Sequence, residues 1–245
     1  QYDKDREEML TRAKDAGVSM ICVGTDYETS RQGIELVQKN KNIWASVGLH
    51  PNDIPDSFDV MIYHNALRNP KVVAIGEVGL DYYRTPESEK QKKQKEIFEQ
   101  FIDLAQRTKK PMILHFRDSP KGSSGRVHKD ALEILPKDIT GVSHSFTGTL
   151  DEAKQYLNRG ICLGFKGIVT FARQYDQVVK YTPLDMILLE TDAPFLAPEP
   201  YRGKRNEPTY VIEVAKKIAE LKNVSVDEVI EKTTSNCKKL FKIII

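Results

Sequence analysis

Short apolar runs recur along the chain, and most are followed by a stretch with helical periodicity. Seven runs read as strands: 18–25, 43–50, 72–81, 112–118, 141–146, 161–169 and 186–191. They are mostly continuous rather than alternating, the pattern of strands covered on both faces. Residues 86–108 place Ile97, Phe98, Phe101, Ile102 and Ala105 on one stripe with Lys and Glu elsewhere, which predicts an amphipathic helix. Thr149 and Glu152 have the spacing of a capping box, and Gly160 marks the end of the helix they open. Ser225 with Glu228 opens another helix near the C-terminus. Alternation of strand and helix from end to end predicts an α/β fold with a parallel sheet, in a single domain spanning 1–245.

Periodicity leaves open whether the sheet is open or closed. Polar residues at the run ends bear on the choice: Glu77, His115, His144 and Asp192 terminate four different apolar runs. An open doubly wound sheet gathers its site at one switch point, whereas a barrel brings all its strand ends to one face. The pattern therefore favours a TIM-type (β/α)8 barrel. No Gly-x-Gly-x-x-Gly follows the first run, and no phosphate loop ends in Gly-Lys-Ser/Thr. The count is one strand short of eight, because the chain opens on a helical pattern at 5–16. The expectation is a barrel missing its first strand, with two exposed sheet edges.

Composition narrows this picture without changing it. The chain has 245 residues, close to the roughly 250 usual for such a barrel. It is 40% hydrophobic and 29% charged, an ordinary globular balance. No apolar run approaches the roughly 20 residues a membrane span requires, and the polar start carries no secretory signal. The net charge of +2 permits an anionic partner, without the basic bias of a dedicated nucleic-acid binder. Cys22, Cys162 and Cys237 are widely spaced, and the first two lie in apolar runs, so they read as small buried hydrophobes. A cytoplasmic setting is expected, with a monomer as the default.

Two imidazoles and two carboxylates brought to one face would make a divalent-metal site, for zinc, manganese or magnesium. Each residue alone has a plainer use. Glu77 can form a buried salt bridge, either histidine can be satisfied by backbone, and Asp192 before Ala-Pro can organise a turn. All four at equivalent positions weigh toward the metal. A bound ion lowers the pKa of its water toward ~7, and a neighbouring carboxylate, Asp192 or Glu77, can orient that water and take its proton. A second ion would clamp the oxygens of a phosphoryl group.

Other residues frame this centre. His50 can bind a substrate oxygen or cap its loop. Arg117 can grip a phosphate or pair structurally. The basic loop 201–208, with Arg202 and Arg205, lies where many barrels bind phosphate, yet can equally be a solvated loop. Residues 119–126 read as a flexible rim of the pocket, and His64 and His128 as surface positions.

The segments 47–51 (VGLHP), 76–83 (GEVGLDYY), His115 with its neighbours, 144–148 (HSFTG), 190–194 (ETDAP) and 202–208 (RGKRNEP) resemble the TatD family of metal-dependent deoxyribonucleases, within the amidohydrolase-like barrels. The resemblance covers essentially the whole chain. It implies a one- or two-metal site in which Glu77 bridges, His115 and His144 complete one ion's shell, and Asp192 serves the other ion and helps activate water. For a phosphodiester substrate, His50, Tyr82, Arg117, Arg202 and Arg205 are expected on the substrate side. The resemblance also implies action on DNA or another nucleic acid, as a 3′-to-5′ exonuclease or an endonuclease, while some members remove D-amino acids from tRNA. The family pattern begins with a His-x-His strand, and here no histidine precedes His50. Either the sequence is trimmed at its N-terminus, and the intact protein carries a full two-metal site, or the strand is absent; for the chain as it stands the expectation is at most one firmly held ion and weak or no activity. Alternative expectations are an ester hydrolase of the D-aminoacyl-tRNA deacylase type, or a non-catalytic barrel with a crippled metal site.

Overall fold

Among the described residues, seven parallel strands, hydrogen-bonded in chain order, curl into a half-barrel with helices packed outside it in the computed structural model. The structure describes residues 2–119 and 126–243. In order, the elements are α1 (Arg6–Asp15), β1 (Met20–Val23), α2 (Tyr27–Lys39), β2 (Ile43–Val47), α3 (Met61–His64), β3 (Val72–Asp81), α4 (Ser88–Thr108), β4 (Met112–Arg117), α5 (Arg126–Ile134), β5 (Gly141–His144), α6 (Leu150–Asn158), β6 (Cys162–Phe165), α7 (Asp176–Tyr181), β7 (Ile187–Leu189), α8 (Val211–Lys222) and α9 (Val226–Phe241). The TIM-type barrel class is as expected, and the sheet runs from β1 to β7 without joining them. Among the described residues no helix is long and apolar enough to cross a membrane.

Both faces of the sheet are covered, which is why the runs read as continuous. Outward positions such as Ile43, Ala45, Met112, Leu114, Leu163 and Ile187 join the core against the helices. Inward positions contribute Trp44, Val73, Ile113, Val142, Cys162 and Leu188 to a second cluster, which takes in Phe241 and Ile243 from the end of α9 and beyond. Side chains alternate faces along a strand. The inward series therefore continues as Trp44, Ser46, Gly48, His50; Ile113, His115; Val142, His144; Cys162, Gly164, Lys166; and Leu188, Glu190, Asp192. Apolar residues fill the lower layers, and polar ones occupy the mouth.

α4 follows its predicted stripe, with Phe98 and Phe101 fully buried. The capping box of Thr149 and Glu152 forms, and the Ser225 hydroxyl accepts from the Glu228 N–H. The run 161–169 is strand only to Phe165; residues Gly167–Thr170 form a 3-10 turn. A Cβ at position 167 would lie 2.6 Å from the Leu196 carbonyl oxygen, so the chain leaves the sheet where another backbone presses on it. Most of the expected flexible rim at 119–126 lies outside the described residues.

His128 corrects the surface reading. It is 4% exposed, its Nδ1 sits 3.0 Å from the Tyr156 hydroxyl, and Phe116, Phe146 and Tyr156 surround its ring. α5 buries Val127, His128, Ala131 and Leu132 as one stripe, and the histidine falls on it. Burial pushes its pKa below the ordinary value, with Glu152 opposing.

Candidate metal centre

Glu77 is central, and its position depends on a break in the sheet. It lies inside β3, not at its end as the apolar run suggested. The β3–β4 ladder shifts register between Ile75 and Val78, which takes Gly76 and Glu77 out of the pairing. The Glu77 N–H instead donates to the Gly24 carbonyl at 2.9 Å. Position 48 must be small here, since a Cβ on Gly48 would lie 2.7 Å from the Gly76 carbonyl carbon.

The Glu77 carboxylate meets three imidazoles. Its Oε1 lies 2.5 Å from His115 Nδ1, 3.9 Å from His144 Nε2 and 3.9 Å from His50 Nε2. His115 and His144 are register partners on β4 and β5, so their rings emerge side by side. Asp192 closes the arc, with Oδ1 3.8 Å from His144 Nε2. Its backbone is in the left-handed region at φ 59°, which Asp tolerates better than most residues. The buried Asn206 holds this turn by donating to the carbonyls of Thr191 and Phe195, both at 2.7 Å. All four residues expected at the centre are thus neighbours.

Three further polar groups complete the arrangement. Glu190 accepts a contact from His144 Nδ1 at 2.7 Å through Oε2, and from the Ser145 N–H at 2.6 Å through Oε1. A carboxylate behind the imidazole leaves the opposite nitrogen, Nε2, facing Glu77 and Asp192. Asp81 plays the same part for His115, 3.3 Å from its Nε2. Asp81 is itself held by Asn52 at 2.9 Å and by the Arg84 N–H at 2.9 Å, while its own N–H donates to Gln94. Lys166 extends to Asp192, with Nζ 2.6 Å from Oδ2. The sequence reading assigned none of these three a role, although the two-residue period of β6 and β7 points Lys166 and Glu190 to the same mouth as Asp192.

The charges follow from this packing. Burial opposes ionisation of Glu77, but His144 and His115 outweigh it and hold its pKa at about 2. Burial likewise opposes the charged forms of Asp192 and Asp81, yet their neighbours hold both carboxyls well below the usual range: His144 and Lys166 for the first, His115 for the second. Burial and the neighbouring His115 push the pKa of His50 down to about 4. Its Nδ1 accepts from the Asn52 N–H at 3.2 Å, so Nε2 is the nitrogen that carries the proton toward the centre. His50 both caps its loop and faces the site.

The donor set suits a divalent ion, because imidazole and carboxylate oxygen are the ligands that zinc and manganese share. Among the described residues, the group whose ligand atoms all lie within 4.8 Å of one another is His50, Asp81 and His115, which could hold an ion beside Glu77. Ionised carboxylates converging with imidazoles at a strand-end mouth can bind a cation and polarise a water beside it.

The outer residues divide. Arg117 lies over the exposed ring of Tyr83, its guanidinium carbon 3.9 Å from the ring centre. Arg202 lies over Phe171 at 4.0 Å and donates to the Ala197 carbonyl. Both remain on the rim. Arg205 instead turns away to pair with Asp5, before α1, and stacks on Tyr2. Tyr82 is 1% exposed and its hydroxyl donates to Asp130 at 2.7 Å. As placed, its ring is closed to substrate, because α5 covers the side of β3 it faces. The exposed neighbour is Tyr83.

A family model described as TatD related DNase matches residues 1–242. A Bacillus subtilis protein named as the uncharacterized metal-dependent hydrolase YabD is 40% identical, with 99% of this chain and 95% of the relative covered. The 3′-5′ ssDNA/RNA exonuclease TatD of Citrobacter koseri is 31% identical, again over 99% of this chain and 95% of the relative. Among solved structures, the TatD homologue YJJV from Escherichia coli superposes with a TM-score of 0.87 at 30% identity, covering 99% of this chain and 94% of that one.

Proposed function

Because the chain belongs to the TatD family of metal-dependent hydrolases, we propose that it hydrolyses phosphodiester bonds of single-stranded DNA or RNA from the 3′ end. The observation that carries this reading is the meeting of Glu77, His115, His144 and Asp192 at one mouth, each from a different strand or strand end. The name of the Citrobacter koseri relative supports the substrate class.

Glu77, His115 and His144 would hold a divalent ion, whether zinc, manganese or magnesium. Such an ion supplies an acidified water at neutral pH and positive charge against a phosphoryl oxygen. Asp192 would orient a water at this mouth and accept a proton through Oδ1, the oxygen turned toward His144. His50 donates from Nε2 to a non-bridging phosphate oxygen. Glu190 and Asp81 keep the two inner imidazoles aimed. On the rim, Tyr83 and Phe171 are 47% and 36% exposed, each under a guanidinium. Flat rings beside fixed cations suit unpaired bases and their phosphates, which favours a single strand over a duplex.

The test is cleavage of a 5′-labelled single-stranded oligonucleotide by the full-length protein with manganese. The expected result is a ladder shortening from the 3′ end, abolished by chelator and lowered about 100-fold or more by Asp192→Asn or His115→Asn. An intact oligonucleotide with manganese, zinc and magnesium alike would sink the reading. Turnover of a D-aminoacyl-tRNA under those conditions would move the chemistry to an ester carbon.

A further inference from the structure

A lysine is rarely placed inside a metal centre, because its charge competes with the ion's. Lys166 is nevertheless 8% exposed at the mouth, the third inward residue of the series Cys162, Gly164, Lys166. A buried ammonium is costly unless paired, and its partner is Asp192, 2.6 Å away through Oδ2. The two oxygens of Asp192 are thereby separated in use. Oδ2 is turned to the ammonium, and Oδ1 to His144 and the interior of the centre. On the far side of His144, the close partners of the Glu77 carboxylate among the described residues are the imidazoles of His50, His115 and His144. Among the described residues the centre is therefore electrically lopsided, with an ammonium in direct contact with Asp192 and no lysine or arginine in direct contact with Glu77.

We propose that Lys166 acts as a built-in cation at the Asp192 end. It weakens the grip of that end on a divalent ion and leaves the Glu77 end as the tighter one. With one N–H on Asp192, the ammonium has donors left for an anionic substrate oxygen; this second part rests on the phosphodiester reading above. Lys166 accordingly raises the affinity for anionic substrate while lowering the affinity for metal.

The test is calorimetric titration of the full-length protein with manganese alone, comparing the parent with Lys166→Gln and Lys166→Arg. Glutamine keeps a hydrogen-bond donor for Asp192 and removes the charge, whereas arginine keeps the charge. Removing a unit charge a few ångströms from a ligand oxygen should tighten the weaker manganese step about tenfold, or reveal an additional bound ion, in Lys166→Gln. Lys166→Arg should titrate like the parent. A Lys166→Gln isotherm superimposable on the parent's, from a protein with an unchanged circular dichroism spectrum, overturns the proposal, since a merely structural ion pair would shift stability and not metal affinity. If Lys166→Gln does not fold, Lys166→Met is read in the same way. If neither folds, Lys166 is a structural residue and the proposal fails. Kinetics on the oligonucleotide then give a separate readout: KM should rise in Lys166→Gln at saturating manganese. Failure of every variant, parent included, to cleave would sink the nuclease reading and leave the metal titration intact as a test of Lys166.

Discussion

At the residue scale the centre depends on small differences in where a side chain ends. Glu190 fixes which nitrogen of His144 faces inward, so Glu190→Gln should lower metal affinity about 10- to 100-fold. Gly164 provides an independent check. A Cβ there would lie 2.6 Å from Glu190 Oε2, the atom bonded to His144. The carboxylate can swing aside at little cost to the fold, but not without releasing the imidazole. Gly164→Ala should therefore fold normally and lose metal affinity much as Glu190→Gln does. Metal titration with either variant matching the parent would remove Glu190 from its orienting role.

At the scale of elements, one polar contact ties three segments together behind the centre. Tyr82, just after β3, donates to Asp130 on α5, and Lys95 on α4 reaches the same carboxylate at 2.6 Å. Burial alone would raise the Asp130 pKa, but the bonds from Lys95 and Tyr82 outweigh it and hold it below the ordinary value. A carboxyl depressed on folding contributes stability above its unfolded pKa of about 3.9, and that contribution is lost as pH falls through the folded value. Parent and Asp130→Asn should thus differ in urea midpoint at pH 7, and the gap should close on acidification below about pH 4. A gap independent of pH would mean the carboxylate's charge is not what stabilises the contact. Tyr82→Phe removes one hydrogen bond from this triad and should cost about 1 kcal/mol, while leaving KM for an oligonucleotide unchanged.

Over the whole molecule, the chain brackets its sheet with contacts between distant segments. Arg12 on α1 reaches Glu207 at 2.7 Å, Arg205 pairs with Asp5, and the Tyr2 hydroxyl donates to the Asn206 carbonyl. These tie the first helix to the loop after β7, whose other end carries Asp192. Arg205 therefore has an architectural partner, whereas Arg202 lies over Phe171 on the rim. Arg205→Ala should leave oligonucleotide KM unchanged and weaken the fold slightly, an effect that added salt diminishes. Arg202→Ala should raise KM with melting unchanged. The reverse outcome for the pair would return Arg205 to the substrate side.

How much of this was legible depended on how local each cause is. The sequence alone determined the strand–helix alternation. The bounds of β3 are those of its apolar run, because covering both faces of a strand requires an unbroken run. Glu77, His115, His144 and Asp192 stood out because a polar residue within or closing such a run is costly without a partner. Lys166 and Glu190 obey the same two-residue period, but a lysine after a strand looks like a surface charge until the strand beside it is known. Tertiary structure alone decided the rest. Tyr82 is shut away by α5, His128 is enclosed by Phe116, Phe146 and Tyr156, and Arg205 is claimed by Asp5. Each of these side chains is directed by a partner distant in sequence or by the packing of a neighbouring element. Periodicity reports which face of its own element a residue occupies, whereas what covers that face depends on chain segments that only folding brings there.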